Sequence, residues 1–263
     1  MQPLRWRQPD AWTRHLNAVE ITPTDEPLTR APVTNGAGQP WHWGSEELVL
    51  MPQRALWRPK SRQLMVADLH LGKAEVFQAH GIPIPSDGDR CNLNRLKQLC
   101  QVLQPEELLI LGDLIHGRQG LTDKLMESLQ LLPRECSCKL TLIGGNHDRD
   151  APCPGVPRQP SQRVGQLWLS HEPESPPEPR QTPLLNVCGH VHPVASLRSG
   201  NDRLRLPCFA YDPVSERLLI PAFGELTGGH DCGQRYRKWL VAENAIVPWL
   251  DPSPHHQTRR LAP

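Results

Sequence analysis

Five short segments of the sequence carry residues that can bind metal ions or transfer protons, and each segment follows an apolar run. They read ADLH (67–70), GD (112–113), GGNHD (144–148), SH (170–171) and CGHVH (188–192). Their polar residues of interest are Asp68, His70, Asp113, Asn146, His147, Asp148, His171, His190 and His192. One such segment alone is weak, because Asp and Asn also form turns. Five such segments in succession predict one reaction site, since ligands bind at strand ends in open α/β sheets.

The chemistry that suits these residue types is metal-assisted hydrolysis of a phosphate ester. Two divalent cations about 3.5–4 Å apart bind a phosphoryl group between them and activate water near neutral pH. Ions this close need a shared carboxylate to screen their repulsion, and Asp113 suits that role. Asn146 offers an oxygen ligand without adding charge, and Cys188 is the one cysteine beside the segments, which disfavours a structural zinc finger. His147 suits the proton donor to the leaving oxygen, with Asp148 orienting its ring.

The apolar runs that must position these residues predict an α/β domain. Runs rich in Leu, Val and Ile, each followed by a turn or loop signal, predict strands at 47–51, 63–67, 108–112, 140–144, 166–170 and 184–188. Apolar residues spaced three and four apart predict helices at 89–104 and 121–132. Alternating strands and helices favour a layered α/β fold, and the later strand-only stretch suggests a second sheet. If the polar strand ends share one sheet edge, their side chains converge.

Composition limits the classes of function. The 263 residues include 29 Lys and Arg against 28 Asp and Glu, so the formal net charge is +1 and a global basic field for nucleic acid is absent. No apolar stretch reaches the roughly 20 residues that cross a bilayer, and the N-terminus lacks a secretory h-region. Eight cysteines without paired spacing predict reduced thiols in a soluble, cytoplasmic protein that does not bind membranes. We expect a flexible extension over 1–40, one domain over 41–251 and a flexible tail over 252–263.

The five segments, in this order, resemble the pattern of the calcineurin-like metallophosphoesterases. They span residues 68 to 192, and no residue of that pattern is missing. The resemblance implies a four-layer α/β/β/α sandwich with a dinuclear metal site, and it implies that His147 is the general acid. It places the first metal on Asp68, His70, Asp113 and His192, and the second on Asp113, Asn146, His171 and His190.

Longer segments of the sequence resemble those of a narrower family, the bacterial ligase-associated DNA damage response endonucleases, which are called PdeM. These longer segments are LVLMPQRALWRP (48–59), VADLHLGKAEVFQAHGIPIP (66–85), RLRLPCFAYD (203–212) and LLIPAFGELTGGHD (218–231). This resemblance implies a phosphodiesterase or endonuclease that acts on DNA in repair. It also implies association with an ATP-dependent DNA ligase, an exonuclease and a helicase.

The identity of the metals and the substrate stay open at this stage. Imidazole and oxygen ligands suit Mn²⁺, with Fe or Zn²⁺ as alternatives. Lys73, His116 and Arg149 lie close in sequence to the predicted ligands and are candidates for phosphate binding, and Arg198, Arg203 and Arg205 are candidates for a basic patch. The alternatives to a DNA nuclease are a small-molecule, nucleotide phosphodiesterase or phosphatase, and a non-catalytic scaffold of a repair complex.

Overall fold

The computed structural model describes residues 38–178, 182–199 and 202–249. The first half of this part contains six of the strands, β1 (Gln39–Trp43), β2 (Glu46–Met51), β3 (Ala55–Arg58), β4 (Gln63–Val66), β5 (Glu107–Leu111) and β6 (Lys139–Ile143). The helices are α1 (Lys73–Ala79), α2 (Gly88–Leu103) and α3 (Asp123–Cys136). The later strands are β7 (Arg158–Gln159), β8 (Gln162–Val164), β9 (Leu167–Leu169), β10 (Leu185–Cys188), β11 (Pro193–Ser199), β12 (Asp202–Asp212), β13 (Arg217–Leu219), β14 (His230–Asp231), β15 (Arg237–Ala242) and β16 (Ala245–Trp249).

The strands form two mixed sheets. The first sheet has the order β1 to β7, antiparallel from β1 to β4 and parallel from β4 to β7. In the second sheet, β9, β10 and β13 are parallel neighbours, and the long β12 joins them to β11 and β15. The polar strand ends do not all share the edge of one sheet, which was the condition under which we expected them to converge. β9 and β10 belong to the second sheet, and their apolar runs do not distinguish the two sheets in sequence.

The two sheets pack face to face through apolar side chains. The first sheet contributes Leu48, Leu50, Leu56, Met65, Leu109, Leu111 and Ile143, and the second contributes Leu167, Leu169, Leu185, Val187, Phe209 and Leu218. Burial of each such side chain stabilises the fold by about 1.5–3 kcal/mol relative to an exposed one. This core holds the carboxyl ends of β4, β5 and β6 against those of β9 and β10.

Helices α2 and α3 cover the outer face of the first sheet. Their apolar faces carry Leu93, Leu96, Leu99 and Cys100 in α2, and Leu125, Leu129, Leu132 and Cys136 in α3. Thr122 caps α3, because its hydroxyl accepts a hydrogen bond from the N–H of Leu125 at 3.2 Å. The helix was predicted to end at 132 but continues through Pro133 to Cys136, since its buried face extends one turn further.

The predicted α/β sandwich is confirmed. The outer face of the second sheet carries a smaller apolar cluster that includes Ala195, Cys208 and Leu240, and its members within the described ranges come from strands and loops. Each of the six predicted strands is present with both ends within one residue of the expected positions. None of the described helices is long and apolar enough to cross a membrane. The predicted extension and tail fall almost entirely outside the described residues, and β1 begins at Gln39.

Candidate metal centre

The strand ends of both sheets bring the predicted ligands together in two adjacent groups. The first group consists of Asp68, His70 and His192, whose nearest ligand atoms all lie within 4.8 Å of one another. Its two rings meet edge to face, with 3.3 Å between the Nε2 atoms of His70 and His192. Nε2 of His192 also lies 3.3 Å from Oδ1 of Asp68. Asp68 and His70 follow β4 of the first sheet, and the second sheet adds the imidazole of His192.

The second group consists of Asp113, His171 and His190, whose ligand atoms also lie within 4.8 Å of one another. Nε2 of His171 is 3.1 Å from Nδ1 of His190 and 3.0 Å from Oδ1 of Asn146. Nδ1 of His171 must donate to the carbonyl oxygen of Leu111 at 3.0 Å, because a carbonyl can only accept. Nε2 of His171 therefore keeps its lone pair and directs it into the group.

Asp113 lies between the two groups and presents one carboxylate oxygen to each. Its Oδ2 is 3.7 Å from Nε2 of His70 in the first group, and its Oδ1 is 3.5 Å from Nε2 of His171 in the second. Asp113 is buried, and its Oδ1 also accepts a hydrogen bond from the N–H of His147 at 3.0 Å. A carboxylate in this position has the geometry that sequence reasoning expected of a shared ligand.

The backbone at the site is held in an unusual conformation. Five of the predicted ligands have φ between 48° and 64°, in the left-handed region that non-glycine residues rarely adopt: Asp68, His70, Asp113, His190 and His192. Each such residue costs on the order of 1–3 kcal/mol and persists because its surroundings fix it. Here the backbone hydrogen bonds from Asp68 N–H to Gly112 and from His70 N–H to Asp113 join the ends of β4 and β5.

Two glycines make room for the carboxylates. A Cβ atom on Gly145 would lie 2.3 Å from Oδ1 of Asp113, and one on Gly189 would lie 2.5 Å from Oδ2 of Asp68. No real side chain tolerates such distances, so the glycine before Asn146 and the one before His190 allow the strand ends to approach the acids. Sequence reasoning gave these two glycines no role, and their position directly before Asn146 and His190 was the available signal.

Asp148 does not orient the ring of His147, and that prediction is corrected. Its side chain is fully buried and accepts hydrogen bonds from the N–H groups of Asp113 at 2.8 Å, Ile115 at 3.1 Å and Gly145 at 2.9 Å. A carboxylate fixed by three backbone donors connects the loops after β5 and β6 and is unavailable to the imidazole. The physical reason is that these orphan N–H groups at two strand ends need an acceptor.

The ring of His147 is oriented instead by the backbone of His116. Nδ1 of His147 donates to the carbonyl oxygen of His116 at 2.7 Å, and the two rings stack with centroids 4.8 Å apart. Nε2 of His147 is therefore the nitrogen left to exchange a proton. Nδ1 of His116 lies 3.2 Å from Nδ1 of His70, so His116 connects the predicted general acid to a predicted ligand.

Burial sets the protonation of the site. Burial, reinforced by neighbouring positive charges that include Lys73, lowers the pKa of His70 to about 2 and that of His116 to about 4. These imidazoles are neutral near pH 7 and offer lone pairs. Burial also raises the pKa of Asp113, against the effect of His171. Buried neutral rings and a carboxylate that resists ionisation are the groups that a bound cation would stabilise.

The donor atoms fit a pair of divalent metal ions. Ring nitrogens that can both act as acceptors face each other at 3.3 Å in the first group and at 3.1 Å in the second. Such pairs gain nothing from each other without a proton or a cation between them. The donor set is imidazole and oxygen, and the nearest cysteine, Cys188, is buried with its thiol pKa raised by burial, which leaves the thiol protonated.

The predicted phosphate-binding residues lie at different distances from these groups. Lys73 is half-buried near Asp113 and Phe77, and burial lowers its pKa against the attraction of Asp113. Arg149 lies on the surface in the turn after His147. Arg203 and Arg205 project from β12, where they hydrogen-bond Ser196 and the carbonyl of Gly229, whereas the side chain of Arg198 lies outside the described residues.

The strand ends of the two sheets bring carboxylates and imidazoles together, and such a site defines a metal-dependent hydrolase. Comparison with known proteins identifies its family. Residues 61–251 match the family model of calcineurin-like phosphoesterase, so the chain belongs to the calcineurin-like phosphoesterase family. It is a metal-dependent phosphoesterase, as the resemblance implied.

One solved structure is similar to most of this chain. The chain is 32% identical to the Pseudomonas putida nuclease MPE over 81% of its own length and 100% of that chain, with a TM-score of 0.65. Yfce, a phosphoesterase from E. coli, is 18% identical over 70% of this chain and 96% of that chain, with a TM-score of 0.39. No curated protein sequence matches the chain.

Proposed function

We propose that this protein is a dinuclear phosphodiesterase that cleaves DNA. The observation that carries the dinuclear part is Asp113, whose two carboxylate oxygens each face one group of imidazole and oxygen donors. The similarity along the full length of the Pseudomonas putida nuclease MPE supports nucleic acid as the substrate.

The proposed ligands follow the two groups. Asp68, His70, Asp113 and His192 hold the first ion, and Asp113, Asn146, His171 and His190 hold the second. We propose Mn²⁺ for both positions, with Fe or Zn²⁺ as alternatives, because imidazole and carboxylate suit all three. When bound, such ions polarise the phosphoryl oxygens and activate water. The chain's own contribution is to fix their ligands in advance, through the left-handed backbone and the buried carboxylate of Asp148.

His147 is the proposed proton donor to the leaving oxygen. Because its Nδ1 hydrogen is held by the carbonyl of His116, proton exchange takes place at Nε2. His116 is a positioning residue in this proposal, since its ring stacks on His147 and its Nδ1 meets the ring of His70. Lys73 carries positive charge close to Asp113 and is the proposed contact for a non-bridging phosphate oxygen.

Two features bear on the substrate in opposite directions. Arg203 and Arg205 lie two residues apart on β12, so their side chains share one face of the strand and offer a small basic surface. The net charge of +1 is low for a protein that binds a polyanion and favours the alternative, a small nucleotide diester.

A non-catalytic scaffold is disfavoured because scaffolds are free to lose ligands, and every ligand is present. DNA repair, in the company of an ATP-dependent ligase, an exonuclease and a helicase, is the proposed setting by family resemblance.

The test is a comparison of substrates with one preparation. Purified protein with Mn²⁺ is assayed on bis-p-nitrophenyl phosphate, on p-nitrophenyl phosphate and on single- and double-stranded DNA. We expect diesters to be preferred over the monoester and at least one DNA form to be cleaved, with activity lost on chelation. Hydrolysis of a small nucleotide diester without cleavage of any DNA would favour the small-molecule alternative, and no hydrolysis at all would favour a scaffold.

A further inference from the structure

A surface pocket with a volume of about 380 Å³ lies beside the strand end that carries Asn146. Its lining consists of Gly144, Gly145, Arg149, Arg158, Gln159 and Pro160. Gly145 also borders the metal centre, because a Cβ atom on it would lie 2.3 Å from Oδ1 of Asp113. The pocket and the shared carboxylate are therefore separated by the backbone of one residue.

The two arginines of this pocket have different surroundings. Arg158 donates from Nη2 to the carbonyls of Asp148 and Ala151 and from Nη1 to that of Arg149, so its guanidinium holds the turn after His147 in place. Arg158 contributes positive charge to the pocket, but several of its guanidinium N–H groups already donate to these backbone carbonyls. Arg158 and Gln159 also pair with β6, which fixes the end of the proline-rich loop to the first sheet.

Arg149 is the cation that remains available. Within the described residues its guanidinium makes no hydrogen bond or ion pair, and its side chain is exposed at the pocket. It follows His147 by two residues, so the two Cα atoms lie at most about 7 Å apart. A guanidinium binds phosphate through two parallel N–H donors, which a solvated lysine at the same place would not reproduce.

We propose that this pocket binds a phosphate of the nucleic-acid strand next to the scissile one, with Arg149 as the contact residue. This inference rests on the proposed function, because a flanking phosphate exists in an oligonucleotide and is absent from a simple diester. It gives the enzyme a means to prefer polymers although its net charge is near zero: one free guanidinium beside the centre replaces a broad basic surface. The scissile diester itself lies outside this pocket, so hydrolysis of a simple diester does not depend on Arg149.

The experiment compares substrates that differ by one phosphate. Wild-type protein, Arg149→Ala, Arg149→Lys and the control Arg134→Ala are assayed with Mn²⁺ on bis-p-nitrophenyl phosphate and on thymidine dinucleotides with no terminal phosphate, a 5′-phosphate or a 3′-phosphate. Arg134 is a matched exposed arginine near the end of α3, which precedes the amino-terminal end of β6. We expect one terminal phosphate to raise kcat/KM by roughly 3–30-fold in the wild type. Arg149→Ala should abolish that gain, Arg149→Lys should keep part of it, and Arg134→Ala should keep all of it.

The outcomes separate this inference from the proposed function. If the wild type cleaves the dinucleotides but neither terminal phosphate improves cleavage, or if Arg149→Ala keeps the improvement, the pocket has no such role while the nuclease stands. If the wild type hydrolyses bis-p-nitrophenyl phosphate but none of the dinucleotides or longer DNA, the proposed function fails and the inference fails with it. We expect equal rates on bis-p-nitrophenyl phosphate and equal metal content in all four proteins. If Arg149→Ala loses rate on bis-p-nitrophenyl phosphate, Arg149 serves the scissile diester or the metal centre itself, and its role as a contact for a flanking phosphate fails.

Discussion

The ends of the first sheet and the ends of the second sheet contribute to the site in different ways. Those of the first supply its buried acids, Asp68, Asp113 and Asp148, each bonded to backbone N–H groups of another loop. Those of the second supply imidazoles, of which His190 is exposed and His192 half-buried. The first sheet thus provides a buried floor of carboxylates, and the second provides imidazoles at a rim that faces solvent.

This difference separates fixed ligands from adjustable ones. A carboxylate held by backbone donors keeps its position whether or not a metal ion is present, whereas an exposed ring is free to change rotamer. His171 is intermediate, because it follows β9 in the second sheet but its Nδ1 donates to Leu111 in the first. Substitutions on the floor should therefore affect metal binding and stability together, and substitutions at the rim should affect metal affinity alone.

The largest effect is expected for Asp113→Asn. The change removes the charge that both ions would share in the proposed site, so both positions should weaken and hydrolysis of every substrate should fall by more than about 10²-fold. Metal content by elemental analysis and rates on bis-p-nitrophenyl phosphate are the measurements. A variant that keeps two metals per chain would show that Asp113 is not shared.

His147→Ala should lower kcat on DNA by roughly 10²–10⁴-fold, because the leaving oxygen then lacks its proton donor. A good leaving group such as p-nitrophenolate needs little protonation, so bis-p-nitrophenyl phosphate should be affected much less, and metal content should not change. Equal losses on both substrates would assign His147 a structural role, and wild-type rates on both would remove it from the mechanism.

Asp148→Ala tests the floor of the site without touching a predicted ligand. The change leaves three buried N–H groups without an acceptor, at about 1–3 kcal/mol for each group. A total of about 3 kcal/mol lowers Tm by roughly 6–12 °C in a domain of this size. Thermal unfolding of Asp148→Ala beside His147→Ala is the measurement, and the neighbouring His147 variant should unfold close to the wild type. Equal Tm values for all three proteins would contradict the role given to Asp148.

His190→Ala tests the rim. Since its ring is exposed and is one of several ligands, we expect metal affinity at one site to fall by about 10–100-fold with Tm of the metal-free protein unchanged. Excess Mn²⁺ should restore most of the activity, which it should not do for Asp113→Asn. Failure of added metal to restore His190→Ala would place this histidine with the fixed ligands.

The smallest effect is expected for the paired change Arg203→Ala and Arg205→Ala. If both residues contact phosphates, the slope of log K against log salt for single-stranded DNA should become shallower by about 1.4, at about 0.7 per phosphate. Metal content and bis-p-nitrophenyl phosphate hydrolysis should be unchanged. An unaltered slope would exclude this surface from DNA binding.

The sequence predicted which polar residues lie close together better than it predicted their surroundings. The residues of both groups could be found because each directly follows an apolar run, and the ends of those runs were correct to one residue. The partners of Asp148 could not be found, since Asp113 and Ile115 are more than thirty residues away and contribute backbone N–H groups that no side-chain pattern reveals. The sequence could not show that β9 and β10 belong to a second sheet for a similar reason, because strand pairing depends on register between distant segments.

Two features could not be predicted because the sequence segments that form them are short. Helix α1 has seven residues, which is less than the length over which apolar periodicity is informative. Arg158 lies in a segment whose prolines predict a loop, and its role becomes visible only when its guanidinium meets the carbonyls of the turn after His147.

The number of metal ions per chain in active protein tests the dinuclear site most directly. Wild-type enzyme is loaded with Mn²⁺, freed of excess metal by gel filtration, assayed on bis-p-nitrophenyl phosphate and analysed for metal and protein in the same fractions. We expect two ions per chain, with activity that follows the occupancy of both. Full activity with one ion per chain, or with none, would contradict the dinuclear site.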